Sequence, residues 1–577
     1  MIYIVGTFTQ ATATSIDDAT DVIRTSGREA ANDGGAATYQ RTAATLDPSQ
    51  EGYSWFHSAD GAMWQLALDQ PFYAAQFGAL GGAEIDARSI LNTALAAPMV
   101  QTLNLGSLSH YVSIPPSDVE AVIIVPSGKW LVGVTRSVSS IYIIPVPFGT
   151  RTTPVQTVYH LDDINGGSCN YSVYCQRSGL GGSLTDRVAG VTIRAKNQDA
   201  FGTIIERVDV YDATGYAHYD SADYGGDNGQ RKMRGIERRR CRAFNSQVCF
   251  ESTGDVEVLR VDCYSNTETT TWDGGALVPC EAIYHEYGPI FKVRTLRCVG
   301  YGQAGAGALP AAVDPFNLRT VIYEDCAIEV TNAVPALSVQ GQVISGATYG
   351  VLDLQIVNSR FVSANSAGAS LNYTTAQIRG GKFVGGANAL NGQGDGAGID
   401  VSTGTILDIY DADVTGNSNP TGQAAANGLF NQAGVVNVFG GRIQAVGPAG
   451  LMRPVAGAIT VVAPALLTPV LASNGSALPL YRQRVRGEKA QPTWGSYNPV
   501  SGNLRYFVNV SLPTSVASQD LTDVVLTLRG PNGDLTFAQA PLSFNWQSNA
   551  LIQVQIAAPI ALPSNFALRY SIIEWLS

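Results

Sequence analysis

Histidine is scarce in this chain, five in 577 residues, and Asp, Glu, Lys and Arg together make up only 14%. So few histidines leave little from which to build a metal centre, and no metal or cofactor is expected. None of the eight cysteines falls in a Cys-x-x-Cys pair, which argues against a zinc ribbon or a dithiol redox site. No apolar run is long enough to span a bilayer, so no membrane partner is expected. A Gly-x-Ser-x-Gly elbow is missing, which speaks against an esterase. Gly-rich runs such as Gly380-Gly381 lack the strand–loop–helix context of a phosphate cradle. The net charge of −11 and the pI near 5.0 demote nucleic acid as a partner. Met1 to Ser15 shows no basic stretch followed by an apolar one, so it does not read as a secretory signal.

What the chain does have is glycine, 61 residues of it, in a sequence that is 45% hydrophobic and poor in amphipathic helix patterns. That combination predicts an all-β protein with many turns. Asp33-Gly34-Gly35 leads into a short strand signal at Ala36–Tyr39, and Phe56 to Leu66 reads as strand, Asp-Gly turn, strand. Phe77-Gly78-Ala79-Leu80-Gly81-Gly82-Ala83 comes next. Asp86 then precedes a short helix whose apolar face carries Ile90, Leu91, Ala94 and Leu95. Ala121 to Val132 reads as strand, turn, strand.

From about residue 190 the chain repeats itself loosely. A small residue recurs after a short β-rich run: Val210, Cys241, Cys263, Cys298, Cys326, Ser359, Gly381, Ala412 and Gly441, roughly 22 to 35 residues apart. One coil of a solenoid cannot bury its inner face alone, whereas stacked coils share a continuous core. With strands ~4.8 Å apart, about ten coils make a rod on the order of 50 Å long. A tight corner in each coil demands a small side chain, so the cysteines are expected to be a buried, reduced ladder. Arg240, Asp262, Arg297 and Asp325 fall beside that column and are expected to pair across coils. After about residue 460 the repeat gives way to alternating strands at 504–510, 524–528 and 551–556, which suggest a C-terminal β-sandwich.

The order of motifs over residues 33–132 resembles the phage tailspikes and tail-fibre proteins with a pectate-lyase-like β-helix. Departures are Gly82 where Asp is usual, Ala83 where Gly is usual, Ala87-Arg88 for Asp-Thr and Trp130 for Tyr. The resemblance implies a right-handed parallel β-helix and a homotrimer attached to a virion tail or an adaptor protein. It also implies recognition and depolymerisation of a bacterial surface polysaccharide, O-antigen or capsule. The expected division is 1–70 as the virion-proximal N-terminal region and 71–150 as a cap with a short helix. Residues 151–460 are then the parallel β-helix, and 461–577 a C-terminal β-sandwich for trimerisation or sugar binding.

Some 9 to 13 residues before the small-residue column lies a second column of polar positions. It holds Glu251, His285 or Glu286, Asn372, Asp400 and Asn431, with Asp220 and Gln340 joining if loops are inserted after them. Stacked coils would align these along one face, as an extended sugar chain requires. His218, Tyr219, Tyr224, Trp272, Asp273, Tyr284 and Tyr287 are candidate sugar contacts beside them. Glycoside hydrolysis needs two carboxyl groups about 5 to 9.5 Å apart. The acids are densest at Asp220, Asp223 and Asp227, with Glu251 one coil on and Glu268, Asp273, Glu281 and Glu286 beyond. Asp220 or Asp223 with Glu251 is the expected catalytic pair, and Glu286 the reserve. The alternatives are a lyase and a spike that binds without cutting. The lyase would use His218 or His285 as base, Tyr219 or Tyr284 as proton donor, and arginines within 231–240 to neutralise a uronate.

Overall fold

The computed structural model describes residues 2–116, 118–144, 154–175, 187–223, 230–267, 271–273, 276–278, 280–312, 315–386, 396–417, 427–446, 452–454, 458–463 and 466–468, and eight strands between 481 and 575. The chain opens with a mostly antiparallel five-stranded sheet, Ile2–Val5, Val22–Thr25, Ala37–Thr42, Met63–Leu66 and Trp55–His57 in spatial order. Phe8, Tyr39, Phe56 and Trp64 form its core. The expected Asp33 turn is there, with the carboxylate accepting backbone N–H bonds from Arg28, Glu29, Ala30 and Gly35. The Asp-Gly hairpin is there too, as Trp55–His57 against Met63–Leu66.

The short helix spans Arg88–Ala96 and buries Leu91, Ala94 and Leu95, with Ile90 packed partly against the core. Asp86 stands one residue further out than a cap. The N-cap is Ala87, and the Asp86 carboxylate accepts from the N–H groups of Arg88 and Ser113, tying the helix start to a neighbouring strand.

Beyond it the chain winds into a parallel solenoid. One wall is a twelve-stranded sheet with one strand per coil, from Ala121–Val125 to Met452–Pro454. The other walls belong to a 26-stranded sheet to which most coils give two consecutive strands. Ala121–Val125 and Trp130–Val132 are therefore two sides of one coil and not a hairpin: the first pairs with Val155–Leu161, the second with Gly167–Tyr174. Inward side chains fill the tube with Val, Ile, Leu and Ala, all but a few fully buried. On the outside, Tyr111, Tyr142, Tyr174, Tyr211 and Phe244 stack one per coil, centroids 4.5–5.0 Å apart.

The small-residue column is the corner between the two strands of the large sheet. Each member follows a residue in left-handed conformation: Arg240, Asp262, Arg297, Asp325, Asn358, Gly380, Asp411 and Gly440. From Cys241 on, the corner packs against the corner of the next coil and carries a small side chain. Cys241, Cys263 and Cys326 donate S–H to backbone carbonyls of the preceding coil, and all eight cysteines are free. One member is shifted from the expected register. Val208, following left-handed Arg207, occupies the corner, while Val210 pairs with Ala243. Cross-coil pairing also holds: Arg297 bonds Asp262 at 2.7 Å, and Arg240 approaches Glu206 at 3.5 Å.

Strands after residue 480 form two antiparallel four-stranded sheets. The first joins Tyr481–Ala490, Ala567–Trp575, Thr522–Gly530 and Gly533–Asp534; the second joins Gly495–Tyr497, Arg505–Ser511, Leu551–Ala557 and Leu542–Ser548. Face-to-face packing of these sheets turns on side chains that lie outside the described residues.

Candidate functional site

Successive residues of a strand face opposite sides, so the phase of each strand decides which acids meet a ligand. In the twelve-stranded wall, His218, Phe250 and Tyr284 are in register and face inward, their rings stacked 4.8 and 5.4 Å apart. Two residues further along each strand, Asp220, Ser252 and Glu286 are in register and also face inward. The intervening residues Tyr219, Glu251 and His285 face out, preceded one coil earlier by Thr192. One position beyond Asp220, Ser252 and Glu286, outward again, run Arg194, Ser221, Thr253, Tyr287 and Ala311, with Gln340 bridged to Ala311 and exposed.

This phase divides the expected residues. Asp220 is 1% exposed and paired to Arg238 at 2.7 Å; Glu286 is 0% exposed and paired to Arg260 at 2.6 Å. Neither carboxylate reaches a polymer lying outside the tube, which corrects both as candidates for direct catalysis. His218 is likewise inside. Its Nε2–H donates to the Arg242 carbonyl, its Nδ1 accepts from Arg238, and burial together with the Arg238 charge holds its pKa well below the usual value. Tyr284 is part of the same interior stack. Asn431, expected to face out, is buried and bonds the carbonyls of Gly434 and Ala458.

Glu251 and His285 are brought together on the outer side, where the Nδ1–H of His285 donates to Glu251 Oε2 at 3.0 Å. Their side chains are only 6% and 11% exposed, so the pair is nearly covered. Burial disfavours the imidazolium, but the hydrogen bond and charge of Glu251, with Glu281 and Glu286 nearby, outweigh it and raise the His285 pKa above its ordinary value. Tyr219 packs at a tilt against Tyr216, centroids 4.5 Å apart, and Tyr287 packs against the His285 ring at 5.6 Å. Burial and the Glu251 charge both push the Tyr219 phenol upward, so it stays protonated.

Asp223 follows the Tyr219 strand and takes a two-pronged bond from Arg194 at 2.7 and 3.0 Å. Arg194 and Lys196 also contact Glu120, at 3.4 and 3.0 Å. Asp400 lies on the same wall four strands beyond His285, bonded by the Gln432 amide at 3.0 Å. Tyr224, Asp227 and Glu268 lie outside the described residues. Trp272 and Asp273 belong to the strand Thr271–Asp273, paired with Ala276–Val278, but their side chains are outside the described set. Among the described residues no three His, Cys, Asp or Glu side chains converge as a metal would require.

Sequence reasoning missed Tyr216, Arg194 and Glu120. Tyr216 carried a weak signal, an aromatic three residues before Tyr219. Arg194 and Glu120 carried none, because they come from other coils.

No protein-family model matches this chain, and no curated protein does. Solved structures do resemble it. The mannuronan C-5 epimerase AlgE4 A-module of Azotobacter vinelandii is 16% identical, covers 70% of this chain and 98% of its own, and has a TM-score of 0.41. Full-length tailspike protein 2 of an Escherichia coli O157:H7 bacteriophage is 12% identical, covers 94% and 65%, and has a TM-score of 0.44. The tailspike gp49 of Acinetobacter baumannii bacteriophage Fri1, described as a capsular polysaccharide depolymerase, is 11% identical over 100% of both chains, with a TM-score of 0.43.

Proposed function

We propose that this chain is a phage tailspike that holds a bacterial surface polysaccharide along the outer side of the twelve-stranded wall and cleaves it by hydrolysis. The observation that carries the reading is the outward Glu251–His285 pair, with Tyr216, Tyr219 and Tyr287 beside it. Aromatic faces and edges fit sugar rings, and carboxyl groups serve acid–base work at the glycosidic bond. With Asp220 inside the tube, Asp223 is the outward acid left from the expected pair; it lies four residues along the strand from Tyr219, the register neighbour of Glu251, so it would act further along the polymer. Arg194 fixes its orientation, which suits a group that activates water, while Glu251 and His285 handle the proton of the leaving oxygen.

The electrostatics favour hydrolysis over β-elimination. Elimination needs a neutral imidazole as base, and Glu251 stabilises the imidazolium. Arg194 and Lys196 on this wall are already bound to carboxylates, so they are poorly placed to neutralise a uronate, which leaves Arg187, beside Tyr216, as the cation a uronate would need. A homotrimer mounted on a virion tail or through an adaptor protein completes the proposal.

The test incubates the protein with polysaccharides from a panel of Gram-negative hosts, following reducing ends and the absorbance of unsaturated uronates. New reducing ends without that absorbance, abolished in Glu251→Gln, are expected. Absorbance would make the protein a lyase, and binding without either signal would make it a receptor-binding spike.

A further inference from the structure

Directly behind the site, inside the tube, lies a run of buried charge. Arg238 donates to both oxygens of Asp220 at 2.7 to 3.0 Å, to His218 Nδ1 at 3.0 Å, and to the Val191 and Tyr219 carbonyls at 3.2 and 3.0 Å. One coil on and in register with it, Arg260 donates to Glu286 at 2.6 Å and to the Ser252 hydroxyl at 2.8 Å. The other Glu286 oxygen accepts the Tyr323 hydroxyl at 2.7 Å. Arg238, Arg260, Asp220, Ser252 and Glu286 are all at most 1% exposed.

Such an arrangement is costly, because each ion leaves water and replacing a buried pair with apolar groups is often neutral or stabilising. Most of the tube is filled with aliphatic and aromatic side chains, which shows that the core can be packed without charges. Their position suggests another use. Asp220 adjoins Tyr219, Ser252 adjoins Glu251 and Glu286 adjoins His285, each inner group one peptide from an outer one. Arg238 even bonds the carbonyl of Tyr219 itself.

We propose that the Arg260–Glu286–Tyr323 cluster is a positioning device for the outer site: it fixes the strands that carry Glu251 and His285, and holds the Glu286 carboxylate one peptide behind His285. The proposal rests on the reading that Glu251 and His285 form the working pair. The other groups that face His285 are Glu251 from the preceding coil, and Glu281 and Tyr287 on its own segment; the following coil presents uncharged Leu309.

The experiment uses the full chain with labelled histidine, following the His285 ring signal against pH and assigning it with His285→Gln. Glu286→Gln is expected to lower the His285 titration by about half a pH unit or more. The alkaline edge of the activity profile should move with it. Arg260→Gln combined with Glu286→Gln removes both charges and should bring the titration back toward the parent value. Should Glu286→Gln fail to fold, Tyr323→Phe, which removes only the phenol that screens Glu286, is expected to give a smaller shift in the opposite direction. An unmoved titration in a folded variant that only melts earlier would reduce the cluster to a structural role and overturn the proposal. A parent protein that cuts no glycan while the titration shifts would instead overturn the functional reading and leave the coupling standing.

Discussion

At the scale of single residues, the pair Glu251–His285 couples stability to pH in a direction that can be worked out. The folded His285 pKa lies above the ordinary value of about 6.5, so the folded state binds a proton more tightly than the unfolded chain. Its stabilising contribution is complete below the unfolded pKa and is lost as pH rises through the folded one. Melting measured across that window should therefore show a loss toward alkaline pH that Glu251→Gln reduces. A pH dependence unchanged by that substitution would show that the imidazolium is not held by Glu251. The composition of the site was legible in the sequence at this scale, since Glu251, His285, Tyr219 and Asp223 are all outward. The side each acid faces was not. Asp220 and Glu286 look the same in sequence as Asp223 and Glu251, and a one-residue change of phase sends a side chain through the wall.

At the scale of elements, the corners carry the architecture. A left-handed residue with a β-carbon costs roughly 1–2 kcal/mol relative to the right-handed form, a cost Asp, Asn and Gly bear more easily than Arg. Arg240 and Arg297 both hold that conformation, but Arg297 is held by Asp262 at 2.7 Å whereas Arg240 reaches Glu206 only at 3.5 Å. Arg240→Gly is thus expected to be neutral or to raise stability by up to about 1 kcal/mol, and Arg297→Gly to gain less because it sacrifices the ion pair. Chemical denaturation of both variants measures the difference, and a clear loss in Arg240→Gly would show that the corner is not strained. The column of small residues was visible in the sequence from Cys241 onward, where the corners hold Cys, Ser, Gly and Ala; the two corners before it hold Tyr171 and Val208. The first expected member was misplaced by two residues, at Val210 in place of Val208, because that coil has no break between its two strands and Arg207 bends within a continuous one.

At the scale of the whole molecule, the solenoid holds itself together by stacking and not by covalent cross-links. Seven of the eight cysteines are buried, and Cys169 is partly exposed. Burial pushes the thiol of Cys175 up to about 12 and those of Cys241 and Cys263 well above their ordinary value, and the hydrogen bond with Cys280, with burial added, does the same for Cys249, so these stay protonated and unreactive. A thiol reagent should find about one reactive group in the native protein and all eight after unfolding. Reductant should leave the melting temperature unchanged. A melting point that falls on reduction would instead mean that disulfides contribute to the rod. The same stacking aligns outward residues from coil to coil at ~4.8 Å intervals, so the wall from Thr192 to Asp400 presents a continuous strip along the axis.

A parallel solenoid is already written in the chain, because a coil that cannot bury its own inner face must repeat, and from Cys241 on the repeat leaves a small residue at each tight corner. The sequence also determined which stretch of chain is rich in acids and aromatics. Only the tertiary structure decided which of them share a surface. Strand phase is set by the corner on either side and by the coils above and below, and through it Glu251 and His285 came to lie outside while Asp220 and Glu286 turned inward to Arg238 and Arg260. Arg194 joins Asp223 across 29 residues and His285 joins Glu251 across 34, separations that one turn of the solenoid closes and local sequence pattern does not encode.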